Sequence, residues 1–210
     1  MLNGICYLFV YGETASWINA DAIKADDLVI CADSGIVTAQ QAGVIPDIVI
    51  GDFDSYTGDM PKGAEVIRLS TRKDDTDSLA ALKEGLHRGY RQFVIAGGVS
   101  DNFAHTFANV HLLAYAHQHG AEAVIYARTS TIYYLENESK SFKAEAGTRF
   151  SVLAYGGVAE GVDISGAAFP LDNATLNGKY PIGLGNGSTG DFSVSVRKGG
   201  ILVIVDVDGQ

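Results

Sequence analysis

Apolar residues fall in short runs along the first 128 positions: Ile5 to Tyr11, Leu28 to Ala32, Ile48 to Ile50, Val66 to Leu69, Phe93 to Ala96 and Ala123 to Ala127. Each has the length of a buried strand and is too short for a helix. Between them the apolar spacing changes to threes and fours. Asp75 to His87 carries Leu79, Leu82 and Leu86, and Asn102 to His119 carries Phe103, Phe107, Val110 and Ala114 on one stripe. Both predict amphipathic helices, and a further helix is expected from Ile36. Strands alternating with helices predict right-handed crossovers and a mostly parallel sheet flanked by helices on both faces. Ligands of such sheets sit beyond the carboxyl ends of the strands.

After residue 128 the pattern changes. Short strand-like runs recur at Thr131 to Leu135, Arg149 to Tyr155, Asp191 to Val196 and Ile201 to Val205, with no helix of useful length. Glycine is dense from Gly156 to Gly200, and turns such as Asn177-Gly178 separate the runs. The chain is therefore expected to form an α/β domain over 1–128, followed by a smaller all-β, sandwich-like domain over 129–210.

Composition narrows the function. The 210 residues are 47% hydrophobic and 19% charged, as in a folded protein. Fifteen Lys and Arg against 25 Asp and Glu give a formal charge of −10. This balance offers no footprint for nucleic acid or anionic lipid. No apolar run approaches the length that crosses a bilayer. Cys6 and Cys31 lie inside apolar runs, and with no signal peptide they are expected to be buried free thiols of a cytoplasmic protein. A chain this acidic needs help to bind a phosphorylated substrate. A divalent cation held by carboxylates would supply it.

Four strand ends carry candidate chemistry. In Pro46-Asp-Ile-Val-Ile-Gly-Asp-Phe-Asp-Ser55, Asp52 and Asp54 are two apart on an extended segment, so both can face one Mg²⁺. The bland alternative is an Asx turn. In Thr71-Arg-Lys-Asp-Asp-Thr-Asp77, Asp74 and Asp77 are three apart and can share a face at a helix start, with Asp75 or Thr76 as N-cap. Arg72 and Lys73 add donors for phosphate oxygens, and simple capping would account for only one of the carboxylates. Asp33-Ser34-Gly35 follows another strand and can offer backbone N–H groups to a phosphate or sugar, or form only a tight turn. In Ala96-Gly-Gly-Val-Ser-Asp-Asn-Phe-Ala-His105, His105 and Asn109 are expected on one helical face, opposite Phe103 and Phe107. The P-loop, dinucleotide and nucleophile-elbow motifs are all missing.

Asp33-Ser-Gly35, Gly51-Asp-Phe-Asp-Ser55, Lys73-Asp-Asp-Thr-Asp77 and the Gly97 to Asn109 segment resemble the thiamin pyrophosphokinases in order and spacing. Gly166 to Leu171 and Gly183 to Asn186 match that family's β-domain segments more loosely. The resemblance implies a nucleotide-binding α/β domain, a thiamin-binding β domain and a homodimer with sites at the subunit interface. It also implies Mg²⁺ and ATP, with pyrophosphate passing to thiamin to give thiamin diphosphate and AMP. Carried over by position, Asp52, Asp54, Asp74 and Asp77 match the carboxylates that hold metal and phosphates, with Lys73 beside them. Asp33, Ser34 and Gly35 match the nucleotide-side loop, and His105 and Asn109 the nucleotide-contacting helix. Ser55, Arg72 and Thr76 belong to the same motifs. Two segments depart. Asn102 and Ala104 stand where the family usually has Arg and Asp, and Gly185-Asn186-Gly187 keeps only Asn186 of a thiamin-side Ser-Asn-Glu. Competing readings are a haloacid-dehalogenase-like phosphatase, which also places Asp-x-Asp after a strand, and a thiamin- or nucleotide-binding protein that has lost catalysis.

Overall fold

A computed structural model describes residues 4–15, 17–54, 56–71, 74–180 and 182–207. The chain divides into two compact units, Met1–Arg128 and Thr129–Gln210.

The first unit contains β1 (Cys6–Phe9), β2 (Leu28–Ala32), α1 (Gly35–Gln41), β3 (Ile48–Gly51), β4 (Glu65–Arg68), α2 (Asp77–His87), β5 (Gln92–Ala96), α3 (Phe103–Gln118) and β6 (Glu122–Tyr126). Its strands lie in the order β6-β5-β1-β2-β3-β4, and every neighbouring pair is parallel. β1, β2 and β3 are buried along their whole length, as expected when both faces of a parallel sheet are covered. Alternate residues serve the two faces. Tyr7, Phe9, Val29, Cys31, Val49 and Val94 pack in one cluster with Ile18, Ile36 and Val44, while Leu8, Ile30, Ile48 and Ile95 are buried on the other side. Carboxylates pin the strand starts: Asp47 accepts from the Val29 N–H at 2.8 Å and Asp27 from the Ile5 N–H at 2.8 Å. Gly85 lets α2 lie close to the sheet, since a Cβ there would stand 2.6 Å from the Phe93 ring and 2.9 Å from Cys6 Sγ.

The chain runs outward from β1 through β2, β3 and β4, then returns to β5 and β6 on the other side of β1. The strand order therefore reverses at β1/β5, a topological switch point where the loops diverge and leave a crevice.

The second unit contains β7 (Ser130–Glu136), β8 (Ser139–Phe142), β9 (Arg149–Ala167), β10 (Leu171–Asn177) and β11 (Asn186–Asp206). β9 and β11 are long, at 19 and 21 residues. Partner numbers on β9 fall as those on β11 rise, from Ser193 opposite Ser165 to Val205 opposite Phe150. The first half of β11 also pairs with β8 and its second half with β7. Gly199 sits between the halves at φ +95°, a conformation that costs glycine little. Residues of both halves share one core, including Phe192, Val194, Ile201 and Val203, with the rings of Phe142 and Phe150 stacked on Phe192 at 4.8 and 4.1 Å. This is sandwich-like packing. The short runs expected at Arg149, Asp191 and Ile201 are thus parts of two continuous strands.

Among the described residues no helix is long and apolar enough to cross a membrane. Both cysteines are buried free thiols, and burial pushes their ionisation well above the usual range.

Candidate active site

Beyond the carboxyl ends of β1 and β2 lies a cavity of about 1190 Å³. Tyr11 reaches it from the end of β1, Asp33 and Ser34 from the end of β2, Thr76 and Asp77 from the start of α2, and Asn102, Phe103, His105 and Asn109 from the start of α3.

Asp33 also belongs to a tight carboxylate cluster. One oxygen each of Asp33, Asp52 and Asp54 lies within 4.8 Å of the others. Local backbone builds this cluster at a cost. Gly51 ends β3 so close to the neighbouring turn that its Cβ would stand 3.2 Å from Asp33 Cα. Asp33 (φ +44°) and Phe53 (φ +59°) both adopt the left-handed region, which is unfavourable for a bulky Phe. Phe53 is held there with the Arg68 guanidinium 5.3 Å from its ring centroid. The turn between Asp52 and Asp54 is closed by the Asp54 N–H donating to Asp52 Oδ1 at 3.2 Å. The carboxylates meet through this turn, and not because an extended strand points them the same way. The Asx turn and the paired carboxylates are one structure.

Asp33 shows what the cluster lacks. Its Oδ2 accepts from Ser34 Oγ at 2.8 Å, whereas Oδ1 is buried with no hydrogen-bond partner. A buried carboxylate oxygen with no donor is costly. Asp33, Asp52 and Asp54 together offer three hard oxygen donors, which suit a Mg²⁺-type cation whose shell is completed by phosphate and water.

The other expected residues divide. Thr76 is the N-cap of α2, with Oγ1 accepting from the Leu79 N–H at 3.1 Å and an extended backbone. The helix therefore begins at Asp77, Asp74 precedes it, and the two carboxylates do not share a helical face. Asp77 lines the main cavity, while Asp74 lines a smaller recess of about 300 Å³ with Leu69, Ser70, Asp75 and Ala80. Neither belongs to the three-carboxylate cluster. Asp75 is ion-paired with Lys83 at 2.6 Å. Gly35 is required for packing, because a Cβ would stand 2.0 Å from the Phe9 carbonyl oxygen. Ser55, Arg72 and Lys73 lie outside the described residues.

On α3 neither expected face holds together: Val110 of the apolar stripe is buried but Phe103 and Phe107 are not, and Asn109 is buried while His105 is exposed. Asn109, Val110, Leu112, Leu113 and Ala116 are buried, whereas Phe103 is 77% and Phe107 50% exposed. Asn109 is 5% exposed and donates from Nδ2 to the Gly98 carbonyl at 3.2 Å, so it faces the sheet where a core stripe was expected to be apolar. Asn102 is the N-cap of α3: its Oδ1 accepts from the Ala104 and His105 N–H groups at 3.1 and 3.4 Å. The residue at the usual Arg position thus holds the helix start. In the second unit, Asn186 is buried and its amide is engaged with the Phe169 N–H (3.1 Å), the Phe169 carbonyl (2.8 Å) and the Gly187 N–H (2.9 Å). It fastens the Phe169 segment to β11. Tyr11 was missed by the sequence reading, although its place after the first strand, beside the order reversal, is a usable signal.

The family model for the thiamin pyrophosphokinase catalytic domain matches residues 20–125, just over half of the chain. The chain belongs to the thiamin pyrophosphokinase family. Its fold is similar to the crystal structure of thiamine pyrophosphokinase from Bacillus subtilis, with TM-score 0.82, 21% identity, and coverage of 97% of this chain and 99% of that one. The thiamin pyrophosphokinase family protein from Enterococcus faecalis gives 0.81 at 20% identity over 98% and 100% of the two chains. Yeast thiamin pyrophosphokinase gives 0.74 at 12% identity over 97% and 86%. No curated protein matches in sequence. At these identities the neighbours establish the fold of a thiamin pyrophosphokinase, and the family match spans the carboxylate cluster and the cavity lining apart from Val10 and Tyr11.

Proposed function

We propose that this family member is a Mg²⁺-dependent enzyme that transfers pyrophosphate from ATP to thiamin, giving thiamin diphosphate and AMP. The observation that carries this reading is Asp33, which has one buried, unpartnered carboxylate oxygen, belongs to the Asp33–Asp52–Asp54 cluster and lines a cavity large enough for a nucleotide. Asp33, Asp52 and Asp54 would hold the metal. A bound Mg²⁺ would neutralise phosphate charge that the acidic site otherwise repels and favour charge build-up on the transferring group.

In the reaction the thiamin hydroxyl oxygen bonds to the β-phosphorus, the bond from that phosphorus to the α–β bridging oxygen breaks, and AMP leaves with that oxygen. The hydroxyl proton needs an acceptor. Asp77 suits this role, since it lines the cavity outside the three-carboxylate cluster and is fixed at the first residue of α2 by the Thr76 cap. Arg72 and Lys73, which come just before that helix in the sequence, would supply positive charge for the phosphates, and positioning would supply much of the rest. The same reading places thiamin against the second unit, with Asn186 acting through the Phe169 segment it fastens, and the chain working as a cytoplasmic homodimer.

The test is incubation with ATP, Mg²⁺ and thiamin, with AMP and thiamin diphosphate measured against a control without thiamin. Equal amounts of both products, formed only with thiamin and lost in Asp54→Ala and Asp77→Ala, are expected. Release of inorganic phosphate without thiamin would favour the phosphatase reading. Nucleotide binding without turnover would favour a binding protein.

A further inference from the structure

The cavity changes character across the sheet edge. The strands run β5-β1-β2-β3, and the residues that follow them are, in that order, Phe103, Tyr11, Asp33 and the Asp52/Asp54 pair. Tyr11 and Phe103 line the cavity after β1 and β5, with Asp101 beside Phe103, and Asp33 lines it after β2 and joins it to the Asp52/Asp54 pair. Tyr11 is 57% and Phe103 77% exposed although both line the cavity. Phe103 is backed by Phe107, whose ring stacks on it at 6.0 Å and 23°, and its backbone is held by the Asn102 cap. Val10 and Ala104, their neighbours in the chain, also line the cavity. Large rings left open to water inside a cavity are suited to stacking against a flat heterocycle.

We propose that Tyr11 and Phe103 form the base-binding end of this site: they hold the heterocyclic base of the nucleotide while its phosphates run along the sheet edge to the Asp33–Asp52–Asp54 cluster. This rests on the proposed function and adds to it the orientation of the donor. Strand spacing fits it, since the two to three intervals separating β1 and β5 from β3 span about 10–14 Å, on the scale of a nucleoside triphosphate from base to phosphates. Stacking also gives the site a hold on the donor that does not depend on the Arg the family usually has where this chain has Asn102. Asn102 contributes by fixing the helix turn that presents Phe103.

The test is equilibrium binding of Mg²⁺–ATP and of Mg²⁺–tripolyphosphate, which lacks a base, together with the KM for thiamin. Tyr11→Ala and Phe103→Ala are each expected to weaken ATP binding about 5- to 100-fold, the range for loss of one aromatic stacking partner. Tripolyphosphate binding and the thiamin KM should be unchanged, and Tyr11→Phe and Phe103→Tyr, which keep the ring faces, should restore ATP binding. Unchanged ATP binding in both alanine variants overturns the proposal. So does equal loss of tripolyphosphate binding, which would mean a deformed cavity, or a rise in the thiamin KM alone, which would assign the rings to the acceptor. Failure of the unsubstituted protein to bind ATP at all would overturn the proposed function itself, an outcome distinct from the other three.

Discussion

Asp33→Asn separates what the carboxylate cluster does for cation binding from what it costs the fold. Each pair of carboxylate oxygens at the 4.8 Å limit repels by about 0.9 kcal/mol at the dielectric constant of water and about 3.5 kcal/mol at an effective value of 20. Asp54 is exposed and solvent screens it, so about 0.5–1 kcal/mol per pair is appropriate. Asp33 takes part in two pairs, so neutralising it should stabilise the metal-free protein by about 1–2 kcal/mol. Asn is a suitable probe because it keeps the shape, tolerates the left-handed backbone and can still accept from Ser34. For a chain of this length the gain corresponds to a Tm rise of about 2–8 °C in EDTA. Thermal unfolding with and without Mg²⁺ is the assay. The unsubstituted protein should gain stability with saturating Mg²⁺, by about 2.7 kcal/mol at a hundred times Kd, and Asp33→Asn should lose most of that increment. A lower Tm in EDTA, or an undiminished response to Mg²⁺, would refute the assignment of Asp33 to the cation site.

Thr76→Ala removes the cap on the Leu79 N–H and should cost about 1 kcal/mol in denaturant unfolding, with Thr76→Ser close to the parent. Because the cap also fixes Asp77, kcat should fall more than KM rises. Cys6 and Cys31 should resist a thiol reagent in the native protein at pH 8, since burial raises both thiols and keeps them protonated, and both should react once the chain is unfolded. Rapid native labelling would contradict the packing of β1 and β2.

The α/β unit was legible because its strands are continuous apolar runs, and the sheet needs no further information once both faces are covered. The β unit was legible only in class. Gly156 to Gly161 and Gly199-Gly200 read as strand ends, yet in β9 and β11 glycines at positive φ bend strands that continue. Helix α3 shows the limit of periodicity. Phe103 and Phe107 have the hydrophobicity of core residues yet are exposed, while the buried face of Val110, Leu112, Leu113 and Ala116 also takes in Asn109, whose amide binds the Gly98 carbonyl. The site was visible as four strand ends bearing Asp or Gly. Which carboxylates meet was not, because Asp33 joins Asp52 and Asp54 through pairing of β2 with β3 and through the unusual backbone at Asp33 and Phe53. Asn102 was read by its position in a motif, when its local chemistry, an Asn before a helix, already marked it as a cap.

The most direct test of the central claim follows the label from ATP. With ATP labelled at the β-phosphate, Mg²⁺ and thiamin, the account predicts that the label appears in thiamin diphosphate with one unlabelled AMP formed for each. Label recovered in ADP, whether alongside thiamin monophosphate or alongside phosphate released without thiamin, would contradict it.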